Sequence, residues 1–360
     1  MSASSLRTNT RSAADPTVLD LYLASERVVG QEKARRQLAI LLKRQLEVRG
    51  GKWPLGESAI VAGFTGTGKS YLIRMMCEYC GLPFADCNAT QYTETGYAGD
   101  DLSQMFLPLL EDAARKQDSR LRMEAPEANV LKRPDLDWIK DEAASGVILL
   151  DEFDKWMARI NHHTGRLDTA IQGELLKMIE GSPVYVSDNE DEVGISFDTS
   201  KVLILCAGAF VGLAQQVLKR QERIEENRQL AYMHLAEQGL IEQQDFVKYG
   251  VIPELAGRLS KLIFLRPLSK DDLAQIIRLP QGPIAELKER FENVNCEWQV
   301  PEEAVTHLAD VALRREVGAR GIDSVLWQAF SDALFQASVS EHPTAVRLRV
   351  NQARAELVAA

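Results

Sequence analysis

Hydrophobic positions along this chain form two kinds of pattern. Short uninterrupted apolar runs occur at Ser58 to Ala62, Val147 to Leu150 and Val202 to Leu205, each followed by glycine or by charge. Runs of that length without alternation mark strands buried on both faces. Elsewhere apolar residues return every three or four positions. Ala34, Leu38, Leu41 and Leu42 do so in a helical stretch that opens at Val28-Val29-Gly30-Gln31 and continues to about Glu47, where Gly50-Gly51 and Pro54 end it. Tyr71 to Cys80 is a second apolar helix. Strands separated by helices predict an α/β fold with a parallel sheet sandwiched between helices.

After Arg266 the pattern changes. Ser269 followed by Asp272, just beyond Pro267, reads as a helix N-cap with an acid in the first turn. It opens a mainly helical region with helices around Glu303 to Leu313 and Ile322 to Ala337, and one late strand in the alternating segment Ala345 to Val350. The expected organisation is a disordered tail at 1–17, a large α/β domain at 18–266 and a small helical domain at 267–360. Ala214 to Gln244 is helical in composition and dense in charge of both signs, the pattern of a solvated helix face. No repeat with a period of 20 to 50 residues is present.

Composition narrows the function class. The 360 residues suffice for about two domains with their own cores, and 45% hydrophobic with 26% charged residues is the balance of a folded globular protein. With 42 basic against 52 acidic residues the net charge is −10, which speaks against a protein devoted to neutralising a phosphate backbone and leaves room only for a local basic patch. No run of about 18 uncharged apolar residues occurs, so no membrane crossing is expected. Residues 1–17 are rich in Ser, Thr and Ala, with Arg7 and Arg11 and no acid before Asp15. That composition suits a targeting peptide, but the lack of a clear amphipathic face favours a disordered tail. Five cysteines, an odd number without a secretory signal, are expected to be reduced thiols in the cytoplasm. Cys77 and Cys80 have half-zinc-site spacing, yet no second pair or nearby histidine completes it, so a packed helix face is expected.

The chemistry lies in Gly63-Phe64-Thr65-Gly66-Thr67-Gly68-Lys69-Ser70, which satisfies G-x-x-x-x-G-K-[ST] between a strand and a helix. Glycines let the backbone turn its N–H groups toward phosphates, Lys69 neutralises their charge and the Ser70 hydroxyl suits Mg2+. ATP with Mg2+ is the expected cofactor. A magnesium ion also needs a hard carboxylate at the end of a neighbouring strand. Asp151, directly after the apolar run 147–150, supplies it, and Glu152 beside it is placed to act on the attacking water.

These segments lie in a longer series. Val28 to Gln31, the phosphate loop, Leu150 to Lys155, Gly173 to Gly181, Asp198 to Lys201, Gly208 to Phe210, Tyr249 to Leu259 and Gly318 to Gly321 stand in the same order in the ClpX-type AAA+ ATPases, Clp/HslU-like protein unfoldases. The chain resembles that family from about Val28 to about Gln328. The resemblance implies a large α/β and a small helical AAA+ domain, ATP at their junction near Val29, and a homo-oligomeric ring, six subunits in the family. It matches Arg258 to the arginine finger that reaches a neighbour's site, Arg320 to the sensor-2 arginine, and Tyr97, within Thr95-Gly96-Tyr97-Ala98-Gly99, to the pore-loop aromatic that grips a polypeptide. Asn161 to Arg166 falls where a second pore loop belongs; its adjacent His162 and His163 lack a third metal ligand, so a polar channel loop is expected.

The departures from the family are equally specific. Its N-terminal zinc-binding domain is not expected ahead of Val28, nor is adaptor recognition through it, and no Ile-Gly-Phe tripeptide lies between Gly212 and Tyr249, so that docking onto the ClpP peptidase is not expected either. The basic pore-entrance loop is replaced by Ser187-Asp188-Asn189-Glu190-Asp191-Glu192, which would favour basic over acidic peptide tails. The polar sensor-1 position near Cys206 offers only a thiol. The resulting expectation is a protein-remodelling ATPase whose protein substrate the residues do not name. A nucleotide-dependent assembly switch and a nucleic-acid motor share this ATP chemistry, although the acidic balance and the pore aromatic disfavour the motor.

Overall fold

The computed structural model describes residues 15–93, 100–124, 135–158, 169–186, 195–225, 227–315, 318–340, 344–348 and 354–359. Its centre is a five-stranded parallel sheet of β1 (Ser58–Ala62), β2 (Phe84–Asn88), β3 (Val147–Asp151), β4 (Leu203–Gly208) and β5 (Lys261–Phe264), in the order β2-β3-β4-β1-β5. The apolar runs occupy the middle of this order, as burial on two faces demands. Successive residues of each strand serve opposite cores. Ile60, Ile148, Leu150, Ile204 and Cys206 pack on one side, and Ala59, Val61, Val147, Leu149, Leu203 and Leu205 on the other.

Parallel pairing brings every strand end to one edge. Ala62 is level with Gly208 and with Phe264, and Asn88 with Asp151. The loops leaving that edge therefore cluster, the usual place for a ligand site in an open α/β sheet. The chain beyond Leu268 has a separate apolar cluster built on helices Lys270–Ile277, Glu302–Arg314 and Arg320–Val339, with a three-stranded sheet of Cys296–Gln299, Thr344–Arg347 and Glu356–Ala359.

Three local readings of the pattern are revised. The helix expected to open at Val28 begins at Glu32, because Gly30 lies at φ 75 and turns the chain first. Ahead of it lies helix Val18–Ala24, too short to announce itself, whose start is fixed by a capping box between Thr17 and Asp20. The charged stretch 214–244 forms three helices, Leu213–Arg220, Arg228–Glu237 and Gln243–Tyr249. Left-handed residues at Glu222 (φ 53) and Gly239 (φ 68) divide it. Among the described residues no helix is long and apolar enough to cross a membrane. Cys77 is buried in helix Lys69–Cys80, and Cys80 Sγ donates to the Met76 carbonyl.

Candidate functional site

The phosphate-type loop leaves β1 at its carboxyl end. Its base is joined to the adjacent strand by Gly63 N–H donating to the Gly208 carbonyl at 3.1 Å. Gly66 (φ 77) and Gly68 (φ 91) adopt left-handed backbone that an L side chain resists, and Gly68 then starts helix Lys69–Cys80. Lys69 is 9% exposed, and its Nζ donates to the loop's own carbonyls, Gly63 at 2.7 Å and Phe64 at 3.2 Å. Burial pulls its pKa down; the carboxylates of Asp151 and Asp154 oppose that shift, while the Arg320 guanidinium adds to it.

Asp151, the last residue of β3, accepts from Ser70 Oγ at 3.2 Å through Oδ2 and from the Glu152 N–H at 2.8 Å through Oδ1. Glu152 is exposed and sits at φ 57, a conformation that costs a non-glycine residue about 1–3 kcal/mol and turns the chain sharply off the strand. Asp154 is buried and accepts from the Phe210 N–H at 3.1 Å. It packs so closely on Gly208 that a Cβ there would lie 2.7 Å from its Oδ1. Asp154 thus pins the loop after β4 to the loop after β3. Cys206 is fully buried within β4. Its thiol, whose proton burial makes harder to remove, faces the core.

The small helical region closes the site from the other side. The Ala319 N–H donates to the Gly66 carbonyl at 2.9 Å, and Gly318, at φ 62, leaves no room for a Cβ, which would sit 2.6 Å from that same oxygen. Arg320, the first residue of its helix, joins Thr65, Gly66, Lys69, Ser70, Asp151 and Glu152 in lining a cleft of about 310 Å³. Val29 is buried and is not among the lining residues. Thr67 is also buried; its hydroxyl donates to the Phe64 carbonyl at 2.9 Å, inside the loop.

Gln31 makes the contact for its segment. Its Nε2 donates to the carbonyls of Thr67 (3.4 Å) and Arg266 (2.9 Å), and its Oε1 accepts from the Arg266 N–H at 3.0 Å. Neither Gln31 nor Asp154 stands out among candidate site residues by type; the only signal in the sequence is their place within motifs.

Arg258 lies elsewhere. It ends helix Pro253–Arg258, and its carbonyl accepts from Ser58 Oγ at 3.1 Å, at the start of β1. Five residue steps at about 3.3 Å each, roughly 16 Å, separate Ser58 from Gly63, where the phosphate loop begins. The side chain is bound to Glu180 of the same chain, with Nε at 3.1 Å and Nη2 at 2.7 Å from Oε1. Tyr97 and the segments 161–166 and 187–192 lie outside the described residues.

The donors present fit a nucleoside triphosphate and its metal. A left-handed glycine turn at a helix N-terminus with a buried ammonium suits phosphate. A hydroxyl and a carboxylate 3.2 Å apart are two hard oxygen donors of the kind magnesium takes.

Comparison with known proteins agrees with this geometry. Residues 56–262 match the family described as AAA domain (Cdc48 subfamily), and residues 268–347 match the C-terminal, D2-small domain, of ClpB protein. The chain is 31% identical over 353 residues to the ATP-dependent Clp protease ATP-binding subunit ClpX of Treponema denticola, covering 91% of this chain and 79% of that one. Proteins of the same name from Porphyromonas gingivalis and Bacteroides fragilis are 29% and 28% identical, covering 91% and 93% of this chain and 79% and 80% of theirs. With a strand-loop-helix phosphate site, an acidic pair at the end of β3, one strand beyond β4, and a C-terminal helical region in contact with the loop, the chain belongs to the ClpX-type AAA+ ATPases, enzymes that hydrolyse ATP.

Proposed function

We propose that the protein is an ATP-driven ring, hexameric as in its family, that pulls on or remodels a polypeptide. The observation that carries this reading is the placement of Arg258. The chain holds a phosphate site at one end of β1, and the arginine that should complete the transition-state charge balance is at the other end, on the surface. A site built this way is completed by a neighbour, and a head-to-tail contact that closes makes a ring.

The roles follow from position. Lys69, resting on the Gly63 and Phe64 carbonyls, is the ammonium for the phosphate charge. The backbone of Gly63, Thr65, Gly66, Thr67 and Gly68 frames the phosphates. Ser70 and Asp151 would hold Mg2+, which supplies charge neutralisation on the phosphoryl oxygens. Glu152 orients and deprotonates the attacking water. Arg258 of one subunit stabilises the charge developing in the next subunit's site, and Arg320 ties the small domain (267–360) to the nucleotide held by the large one (18–266). Val29, in the nucleotide-proximal segment Val28 to Gln31, contributes to the binding of ATP. Tyr97 grips the polypeptide, since a flat aromatic offers contact area to any extended chain. The relatives' name places them with a Clp protease; here the absence of an Ile-Gly-Phe tripeptide supports action without ClpP. The five unpaired cysteines suit the cytoplasm.

The test is capture by a hydrolysis-blocked ring. The Glu152→Gln protein, held on ATP, should run as a ring and retain a polypeptide that Tyr97→Ala in the same background releases. A monomer under saturating ATP would overturn the ring. Capture of nucleic acid instead of polypeptide would favour the motor on nucleic acid, and a ring that binds neither would favour the assembly switch.

A further inference from the structure

Helix Arg228–Glu237 belongs to the charged stretch whose composition announces only a solvated face, yet four of its residues are buried, Tyr232 among them at 2% exposed. The Tyr232 ring meets the ring of Phe64 edge-on, with centroids 5.2 Å apart and planes at 79°. Phe64 is the second residue of the phosphate loop. Phe264, the last residue of β5, also packs on Tyr232 at 6.1 Å. The Tyr232 hydroxyl finds no hydrogen-bond partner among the described residues, so the ring is the part of this side chain that makes contacts.

What Phe64 does in the loop gives that contact its meaning. Its carbonyl accepts from Thr67 Oγ1 at 2.9 Å, from the Thr67 N–H at 3.4 Å and from Lys69 Nζ at 3.2 Å. The residue whose ring Tyr232 holds is therefore one of the two, with Gly63, on whose carbonyls the phosphate-site lysine rests. The far end of the same helix is tied to the site's other support. Lys33 Nζ donates to the Ala236 carbonyl at 3.1 Å and to the Glu237 carbonyl at 3.4 Å, two residues from Gln31, which bonds Thr67.

We infer that Tyr232 is a positioning residue for nucleotide binding, setting the phosphate loop through the ring of Phe64, and that helix Arg228–Glu237 senses whether the loop is filled. This deepens the reading of the loop as the phosphate site and depends on it. A frame that serves substrate and transition state alike alters affinity and leaves kcat nearly untouched. An edge-to-face aromatic pair is worth roughly three- to tenfold in an equilibrium constant.

The experiment uses the full chain, with Kd for a fluorescent ADP and hydrogen exchange of residues 228–237 with and without ADP. Tyr232→Leu and Phe64→Leu should each raise Kd roughly three- to tenfold, and the double variant should do no more than the worse single one, because both break one link. Tyr232→Phe, which keeps the ring, should bind like the parent. ADP should slow exchange in 228–237 in the parent and not in Phe64→Leu. Parent-like affinity in Tyr232→Leu, or additive effects in the double variant, would overturn the inference. Should Tyr232→Leu fail to fold, Phe64→Leu decides through exchange alone: ADP-dependent protection that persists there also overturns it. If Lys69→Ala binds ADP as the parent does, the phosphate-site reading fails first and takes this one with it.

Discussion

The two ends of β1 make opposite kinds of site from the same strand. At the carboxyl end the chain enters a glycine loop that buries Lys69 against its own carbonyls and is covered by the Gly318-Ala319-Arg320 turn. At the amino end Ser58 anchors the backbone of Arg258, whose guanidinium is more than half exposed and, among the described residues, engaged only with Glu180. One end is prepared to receive charge from outside. The other presents charge outward. In the proposed ring, nucleotide affinity would be a property of one chain and fast hydrolysis a property of two in contact. The exposure of Arg258 suits the proposed role, because a finger buried in its own fold could not reach a neighbour.

The largest expected effect comes from removing the outward end. Arg258→Ala should lower kcat about 10³-fold, the scale of an arginine finger, while nucleotide binding stays near that of the parent. Mixing breaks or sharpens the comparison further. Arg258→Ala subunits keep a working phosphate site, and Glu152→Gln subunits keep a working arginine. Each alone should be inactive, and a mixture should regain ATPase activity measured by phosphate release. No recovery in a mixture shown to co-assemble would place Arg258 in its own site and end the distinction between the two ends.

How far the sequence foretells these ends depends on what each is made of. The carboxyl end is legible because its chemistry needs fixed residue types at fixed spacing, and because β1, β3 and β4 are buried on both faces and so read as unbroken apolar runs. The strands it does not announce, Phe84–Asn88 and Lys261–Phe264, are the two edges of the sheet. There Asp86, Asn88 and Lys261 interrupt the apolar pattern. Gln31, Asp154 and Tyr232 are hidden for a different reason. Each acts across 36 or more residues of chain, on Thr67, Phe210 and Phe64, and no local period records a contact of that span. The charged run 214–244 reads as one helix because its breaks are made by backbone at Glu222 and Gly239 and not by proline.

A smaller effect is expected where the two regions of the chain touch at the carboxyl end. Gly318→Ala places a methyl group against the Gly66 carbonyl on a backbone at φ 62, so the turn must retreat from the loop. The expected cost is about 1–3 kcal/mol, read as weaker nucleotide binding and a lower Tm. Gly257→Ala, where a Cβ meets open space beside Arg258, should leave both measurements near the parent value. An equal response at the two glycines would mean that the carboxyl end is no more tightly assembled than the amino end.

The smallest effect is at the link between the large and small regions, and its sign with pH is fixed. Burial works to raise the Asp272 pKa, but the Arg266 guanidinium at 2.6 and 2.9 Å and the Ser269 N–H and hydroxyl, both at 2.7 Å, outweigh it and hold the carboxyl below its usual range. A carboxylate depressed in the folded state contributes stability that is present above its unfolded pKa of about 4 and is lost as pH falls through the folded value. Ser269→Ala, which removes the hydroxyl of this capping box, should cost about 1 kcal/mol at pH 7. Asp272→Asn should be less stable than the parent at pH 7, and the gap between their Tm values should narrow steadily from pH 5 to pH 3. Gly30 ties this link to the segment that holds the phosphate loop, because a Cβ there would lie 2.5 Å from Asp272 Oδ1 and 2.6 Å from Arg266 Nη2, one residue from Gln31. Loss of the Arg266–Asp272 pair should therefore weaken nucleotide binding along with stability, through Gln31 and its bond to Thr67, whereas Lys52→Ala, which removes an exposed ion pair to Glu47, should change neither.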